Sequence, residues 1–214
     1  YQRSLYQSLR NSAAAAFELL RSELADLEEP VKAEAQDLLA REHQLLDAFQ
    51  TVVGPRFGGM RTRTHGDYHL GQVLHTGSDF VIIDFEGEPA RPLTERRLKR
   101  SPLSDVAGML RSFDYAAHTA LLSSGEKGAT RQEDVPRLEP WARFWQRWVS
   151  AAFLRAYLPP VTQAGLLPGD RDQLGKLLRV LLLGKSTYEL SYELNNRPGW
   201  ARIPIRGILD LLEP

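Results

Sequence analysis

Two short stretches hold the side chains best suited to chemistry: His65-Gly66-Asp67-Tyr68-His69-Leu70-Gly71-Gln72 and Ile82-Ile83-Asp84-Phe85-Glu86. Gln72 follows Asp67 by five residues and Asp84 follows it by seventeen. A carboxylate such as Asp67 can orient a hydroxyl and take its proton as a new bond forms. The amide oxygen of Gln72 and the carboxylate of Asp84 suit Mg²⁺, a hard cation that prefers oxygen ligands and keeps several waters. Glu86 adds one more carboxylate nearby. Taken alone, His65-Gly66-Asp67 also reads as a turn closed by a side-chain hydrogen bond, and Ile82 to Phe85 as a buried strand ending on a polar residue. Taken together, in this order and followed by a helix opening near Ser104 and Asp105, they mark a candidate site.

The elements that must position these residues are mostly helical. Ala, Leu and Glu dominate residues 4–26, and Val31, Ala35, Leu38, Leu39, Leu45, Leu46 and Phe49 recur at helical spacing within residues 30–50, so two helices are expected first. Pro30 suits a first helical turn, where its missing N–H costs nothing. Gly54, Pro55, Gly58 and Gly59 break the pattern. Two short strands are expected around Thr62–Thr64 and Phe80–Phe85, flanking the first motif, with Thr76-Gly77-Ser78-Asp79 as a turn before the second. A helix is expected from Ser104 to about Leu122, with Ser104 or Asp105 as its N-cap. A polar, exposed loop from Ser123 to Glu139 should follow it. Trp141, Phe144, Trp145, Trp148, Ala152 and Leu158 mark a helix ending at Pro159-Pro160, and the aromatic stripe reads as core. A long helix from about Asp170 to Leu194 and a short one around Ile205–Leu212 complete the chain. The fold class expected is mainly α with a small β element.

Composition removes several alternatives. The 214 residues, 43% of them apolar, suffice for a packed core. Twenty-seven basic residues balance twenty-seven acidic ones, so neither nucleic acid nor an acidic membrane surface is an expected partner. The chain lacks cysteine, which excludes disulfides and thiolate metal sites, and it has no apolar run of membrane-span length. A cytoplasmic location is expected.

The spacing of Asp67, Gln72 and Asp84-Phe85 resembles that of the kinase catalytic loop and its metal-binding strand end, with Gln72 where protein kinases place Asn. His65-Gly66-Asp67 in place of His-Arg-Asp resembles the aminoglycoside-phosphotransferase branch of small-molecule kinases. The stretch from Arg91 to Ala116 and the run Tyr192-Glu193-Leu194-Asn195-Asn196-Arg197-Pro198 resemble maltokinases, free-standing or fused to trehalose synthase. The resemblance covers the chain from about Thr62 onward. It implies that residues 1–214 form the catalytic and acceptor-binding C-terminal lobe of a protein-kinase-like enzyme. The implied reaction transfers the γ-phosphoryl group of ATP to maltose, giving maltose 1-phosphate within trehalose and glycogen metabolism.

In that frame Asp67 is the catalytic base and Gln72 and Asp84 are ligands of Mg²⁺. His65 and Asp105 support the catalytic loop, and His69 is a candidate substrate contact. The extra methylene of Gln72 requires the backbone to retreat slightly or the metal geometry to change. Lys185, Tyr188 and Tyr192 share a helical face, and the resemblance suggests that this face contacts sugar and looks toward Asp67 across a cleft. The alternative is that these tyrosines only pack between helices. The basic run Arg96–Arg100 reads as a solvated loop. A Gly-rich phosphate-covering loop after a strand, with a strand Lys and its Glu partner, is not found in the sequence. The nucleotide lobe is therefore expected outside this chain, which as an isolated fragment should be inactive, and a fused or associated trehalose synthase is a further possible partner. Other acceptors, such as another sugar, an aminoglycoside or an amino alcohol, remain open, as does a non-catalytic pseudokinase module.

Overall fold

The computed structural model describes residues 1–54, 56–89, 91–122 and 131–213, without the side chains of Leu122 and Gln132. In chain order its helices are α1 (Gln2–Glu23), α2 (Val31–Ala40), α3 (Glu42–Gln50), α4 (Leu93–Arg96), α5 (Leu103–Leu122), α6 (Val135–Gln163), α7 (Arg171–Asn196) and α8 (Arg202–Leu212). Two strands, β1 (Val73–His75) and β2 (Phe80–Ile82), form one antiparallel pair. The chain divides into two compact units, one of residues 1–58 with 170–214 and one of residues 59–169. Among the described residues, no helix is long and apolar enough to cross a membrane.

The first unit is all helical. Ala13, Ala16, Phe17 and Leu20 line one stripe of α1 and are fully buried, as are Leu183 and Leu190 of α7, the helix against which α1 packs. Gly184 lets these helices approach closely, since a Cβ there would lie 2.3 Å from Leu9 Cδ2. Ile203, Ile205 and Ile208 bury the inner face of α8. Glu34 of α2 accepts from Arg202 at 3.0 Å and from Arg206 at 2.8 Å, tying α2 to α8 with part-buried, charge-assisted bonds. Asp170 caps α7 by accepting from the Asp172 N–H at 3.0 Å. Pro30 stands as the N-cap of α2, one residue before its first turn, and the expected single helix over 30–50 is two, interrupted at Arg41.

The second unit is built on α5 and α6. Val106, Ala107, Met109, Leu110, Phe113, Ala117 and Leu121 bury α5, and Phe113 meets Phe153 of α6 edge-on at 5.9 Å. Phe153 stacks in turn on Tyr157 at 5.8 Å. The aromatic stripe assigned to the core is not there: Trp141, Phe144 and Trp148 are 68%, 55% and 62% exposed. Helical periodicity puts them on the side of α6 opposite Phe153 and Tyr157, and periodicity alone cannot tell whether a second element covers a face. α6 also begins earlier than expected, at Val135, and continues through Pro159-Pro160 to Gln163. It stops at Gly165, whose φ of +69° and N–H to the Thr162 carbonyl make a glycine C-terminal stop. Of the rest of the expected loop, Gln132–Asp134 forms a short helical turn and residues 123–130 lie outside the described residues.

The strand expected at Thr62–Thr64 is an isolated bridge between Thr62 and Arg100 instead. The strand that pairs with Phe80–Ile82 is Val73–His75, directly after the first motif. Thr76 and Asp79 close the connecting turn through N–H to O (2.9 Å) and Oγ1 to O (3.1 Å) bonds, with Gly77 at φ +97°.

Candidate active site

The hairpin brings Gln72 and Asp84 together. Its register pairs Val73 with Ile82, and the Ile83 N–H donates to the Gln72 carbonyl at 3.0 Å, carrying the pairing one step beyond the strands. Gln72 Nε2 then lies 3.0 Å from Asp84 Oδ2. Asp84 has a φ of 62°, and among the described residues it is the one non-glycine residue with positive φ. Such a backbone is costly for a residue with a Cβ, and it aims the carboxylate out of the strand direction toward Gln72.

The loop before the hairpin is held from below by His65, which is buried at 7% exposure. Its Nε2 lies 2.7 Å from the Ile83 carbonyl, and its Nδ1 lies 3.4 Å from the Asp67 N–H. One neutral tautomer, with the proton on Nε2, satisfies both. Its ring packs on Phe85 at 4.9 Å and on Tyr68 at 5.6 Å, so the residues before Asp67 and after Asp84 are joined through one side chain. His69 stands beside Asp67, with Nε2 3.7 Å from Asp67 Oδ2 and Nδ1 accepting from the Gly71 N–H at 3.0 Å. A Cβ on Gly71 would sit 2.8 Å from the His69 ring, so the glycine makes room for it.

Helix α5 presents a rail on which this loop rests. The Asp105 carboxylate accepts from the His65 N–H at 2.7 Å and the Gly66 N–H at 2.9 Å. Asp105 lies inside α5, not at its N-cap; Ser101 Oγ accepts from the Leu103 N–H there, at 3.3 Å. One turn on, Gly108 faces the Tyr68 carbonyl, and a Cβ would lie 2.6 Å from that oxygen. A further turn on, Ser112 Oγ accepts from the Leu70 N–H at 2.9 Å. Sequence reasoning named Asp105 and His65 but missed Gly108 and Ser112. Their spacing of i, i+3 and i+7 from Asp105 was the available signal. Burial, then the Asp105 carboxylate, pushes the Tyr68 phenol above its ordinary value. Burial, then Asp105 and Tyr68, does the same to Tyr157. Both phenols therefore stay neutral near neutral pH.

The donor set fits Mg²⁺ in a particular way. Among the described residues no group of three or more His, Cys, Asp or Glu side chains forms a metal cage. Gln72 and Asp84 instead offer adjacent hard oxygens, once the Gln72 amide turns its oxygen in place of its nitrogen. Few protein ligands, with the rest of the shell left to phosphates and water, is the way Mg²⁺ is held in phosphoryl-transfer enzymes.

The remaining candidates lie in the first unit. Lys185 Nζ sits 5.1 Å over the Tyr188 ring, and the Arg197 guanidinium sits 5.5 Å over the Tyr192 ring, which is 47% exposed. Arg197 also donates two bonds to the buried Glu193, at 2.7 and 2.9 Å, so it is locked in place.

No protein-family model matches the sequence. Among curated proteins the chain is 28% identical to a glucosamine kinase of Streptacidiphilus jiangxiensis over 150 residues, 69% of this chain and 31% of that protein. It is 30% identical to a glucosamine kinase of Mycolicibacterium smegmatis over 179 residues, 83% of this chain and 41% of that protein. A solved structure of a glucosamine kinase in complex with glucosamine, ADP and inorganic phosphate superposes with a TM-score of 0.68 at 23% identity, covering 95% of this chain and 47% of that one. The chain thus spans less than half the length of these relatives. It is related in sequence to curated sugar kinases, and its mainly helical fold is that of part of a glucosamine kinase.

Proposed function

We propose that this chain carries the catalytic loop, the metal-binding residues and acceptor contacts of an ATP-dependent sugar phosphotransferase, as a C-terminal lobe whose nucleotide-covering lobe lies outside it. The observation that carries the reading is the meeting of Gln72 with Asp84 at 3.0 Å beside a loop that Asp105 and His65 hold by its backbone. Such bracing suits a reaction that depends on alignment.

Asp67 orients the acceptor hydroxyl and receives its proton. His69, 3.7 Å away, turns an N–H toward that carboxylate and helps to fix its direction. Asp84 and Gln72 would hold Mg²⁺, which when bound offsets the negative charge of the transferring phosphates. Lys185, Tyr188 and Tyr192 are proposed as sugar contacts, since aromatic faces and an ammonium complement C–H faces and hydroxyls.

The acceptor is a sugar. Glucosamine is the first to test, because the curated relatives and the superposing structure bear that name. Maltose is the second, supported by the resemblance of residues 91–116 and 192–198 to maltokinases. Phosphoryl transfer from ATP to a panel of glucosamine, glucose and maltose, run with the intact protein and with Asp67→Asn, tests the reading. We expect one sugar to be preferred and Asp67→Asn to lower kcat by at least about a thousand-fold. A variant keeping a tenth of wild-type kcat removes Asp67 from the reaction.

A further inference from the structure

The basic run Arg96–Arg100 separates into unlike parts in the fold. Arg97 and Lys99 are exposed, as a solvated loop requires, and Arg100 pairs its backbone with Thr62 through N–H to O bonds of 2.9 and 3.0 Å. Arg96 is different: its side chain is only 21% exposed and turns inward from α4. Its Nη1 donates to the Glu86 carbonyl at 3.3 Å and lies 3.7 Å from the Glu86 carboxylate. Its stem covers Gly87, where a Cβ would meet Arg96 Cδ at 3.4 Å and Cγ at 3.5 Å.

Gly87 lies where the segment after Asp84 packs on the catalytic loop. It is buried, its φ is +81°, the same Cβ would lie 3.5 Å from the His65 carbonyl, and a Cβ on Gly66 would be 3.2 Å from Gly87 Cα. The segment after Asp84 is therefore clamped between the catalytic loop and the Arg96 side chain. The clamp leaves Arg96 Nε buried without a hydrogen-bond partner. A buried donor left unsatisfied costs stability, and a neutral chain of similar reach would cover Gly87 without that cost.

From this we infer that Arg96 is a positioning residue: by gripping the Glu86 carbonyl and covering Gly87 it fixes the backbone that follows Asp84, and so the direction of the Asp84 carboxylate. The inference rests on the phosphoryl-transfer reading for its kinetic consequence, but not for its structural one. Asp84 sits at a positive φ, uncommon for a residue with a Cβ, and the Arg96 contact on the backbone that follows helps to hold it there.

The test is Arg96→Met, which keeps the stem over Gly87 and removes the guanidinium, with Arg97→Met as the exposed control and Arg96→Lys as the conservative variant. Hydrogen exchange on the intact protein should show the Phe85, Glu86 and Gly87 amides exchanging at least about ten-fold faster in Arg96→Met, with α5 and α6 unchanged. In the preferred sugar assay kcat should fall at least about ten-fold with the sugar KM within about three-fold, and Arg96→Lys should recover part of the loss. Unchanged exchange at residues 85–87 overturns the inference, as does a rise spread equally over α5 and α6. Where Arg96→Met does not fold, Arg96→Lys carries the same exchange test, with a smaller rise at the same three amides expected and no rise overturning the inference. Absence of phosphoryl transfer from ATP to any sugar of the panel in the wild-type protein would sink the phosphotransferase reading and leave the exchange result standing, so the two failures are separable.

Discussion

Replacing Gly108 with alanine tests whether the catalytic loop truly rests on α5. The added Cβ would lie 2.6 Å from the Tyr68 carbonyl oxygen, and separations below 3.0 Å are essentially never observed for a Cβ. The obstacle is backbone, not the far end of a flexible side chain, so the loop or the helix must move by at least about 0.4 Å, because repulsion rises steeply at such distances. The helix is poorly able to yield, since Val106, Ala107, Met109 and Leu110 around Gly108 are all buried. Tyr68 adjoins Asp67, so the displacement reaches the proposed base directly. Misplacement of reacting groups by about 1 Å can cost about a hundred-fold in rate, so a few tenths of an ångström should cost about ten-fold or more in kcat. Stability should change much less. Overpacking costs about 1–3 kcal/mol, while alanine gains about 1 kcal/mol over glycine within a helix. The net loss is therefore about 0–2 kcal/mol, a Tm drop of several degrees at most. Gly175→Ala in α7 is the matched control, because nothing lies within 4 Å of its Cβ position. It should leave kcat unchanged and raise Tm slightly. Measuring kcat and Tm for both variants decides the matter, and a Gly108→Ala protein with kcat within two-fold of wild type would refute the account of the rail.

Asp84→Ala should raise the Mg²⁺ concentration needed for half-maximal activity by at least about ten-fold, and an unchanged Mg²⁺ titration would remove Asp84 from the metal shell. Tyr188→Ala and Tyr192→Ala should each raise the sugar KM by about ten-fold with the ATP KM little altered; a lowered Tm with both KM values unchanged would make them packing residues instead. For Asp114, burial acts to raise the carboxyl, but the neighbouring Arg111 guanidinium and His118 ring outweigh it and hold the group below the usual carboxylate range. A depressed carboxyl contributes stability that is present above its unfolded value of about 3.9 and is lost as pH falls through the folded value. Tm should therefore fall steeply below about pH 4 in the wild type and less steeply in Asp114→Asn, and parallel curves would contradict the assignment.

The candidate site residues and the helical character of this chain were legible in its sequence, because both are written in short-range patterns. The spacing of Asp67, Gln72 and Asp84 could be read directly, as could the long final helix with Asp170 before it, since capping and amphipathic periodicity act within a few residues. The strand pairing was misplaced because Thr62–Thr64 and Val73–His75 are similarly β-prone, and only the hairpin register selects the second. That register turns twelve residues of separation into the Gln72–Asp84 contact. The exposure of Trp141, Phe144 and Trp148 is likewise a tertiary outcome, since periodicity groups residues on a face but does not supply what packs on it. Gly108, Ser112 and Arg96 gain their meaning only when distant backbone arrives: the Tyr68 carbonyl, the Leu70 N–H and the Glu86 carbonyl, each dozens or about ten residues away, are met through packing that no local propensity encodes.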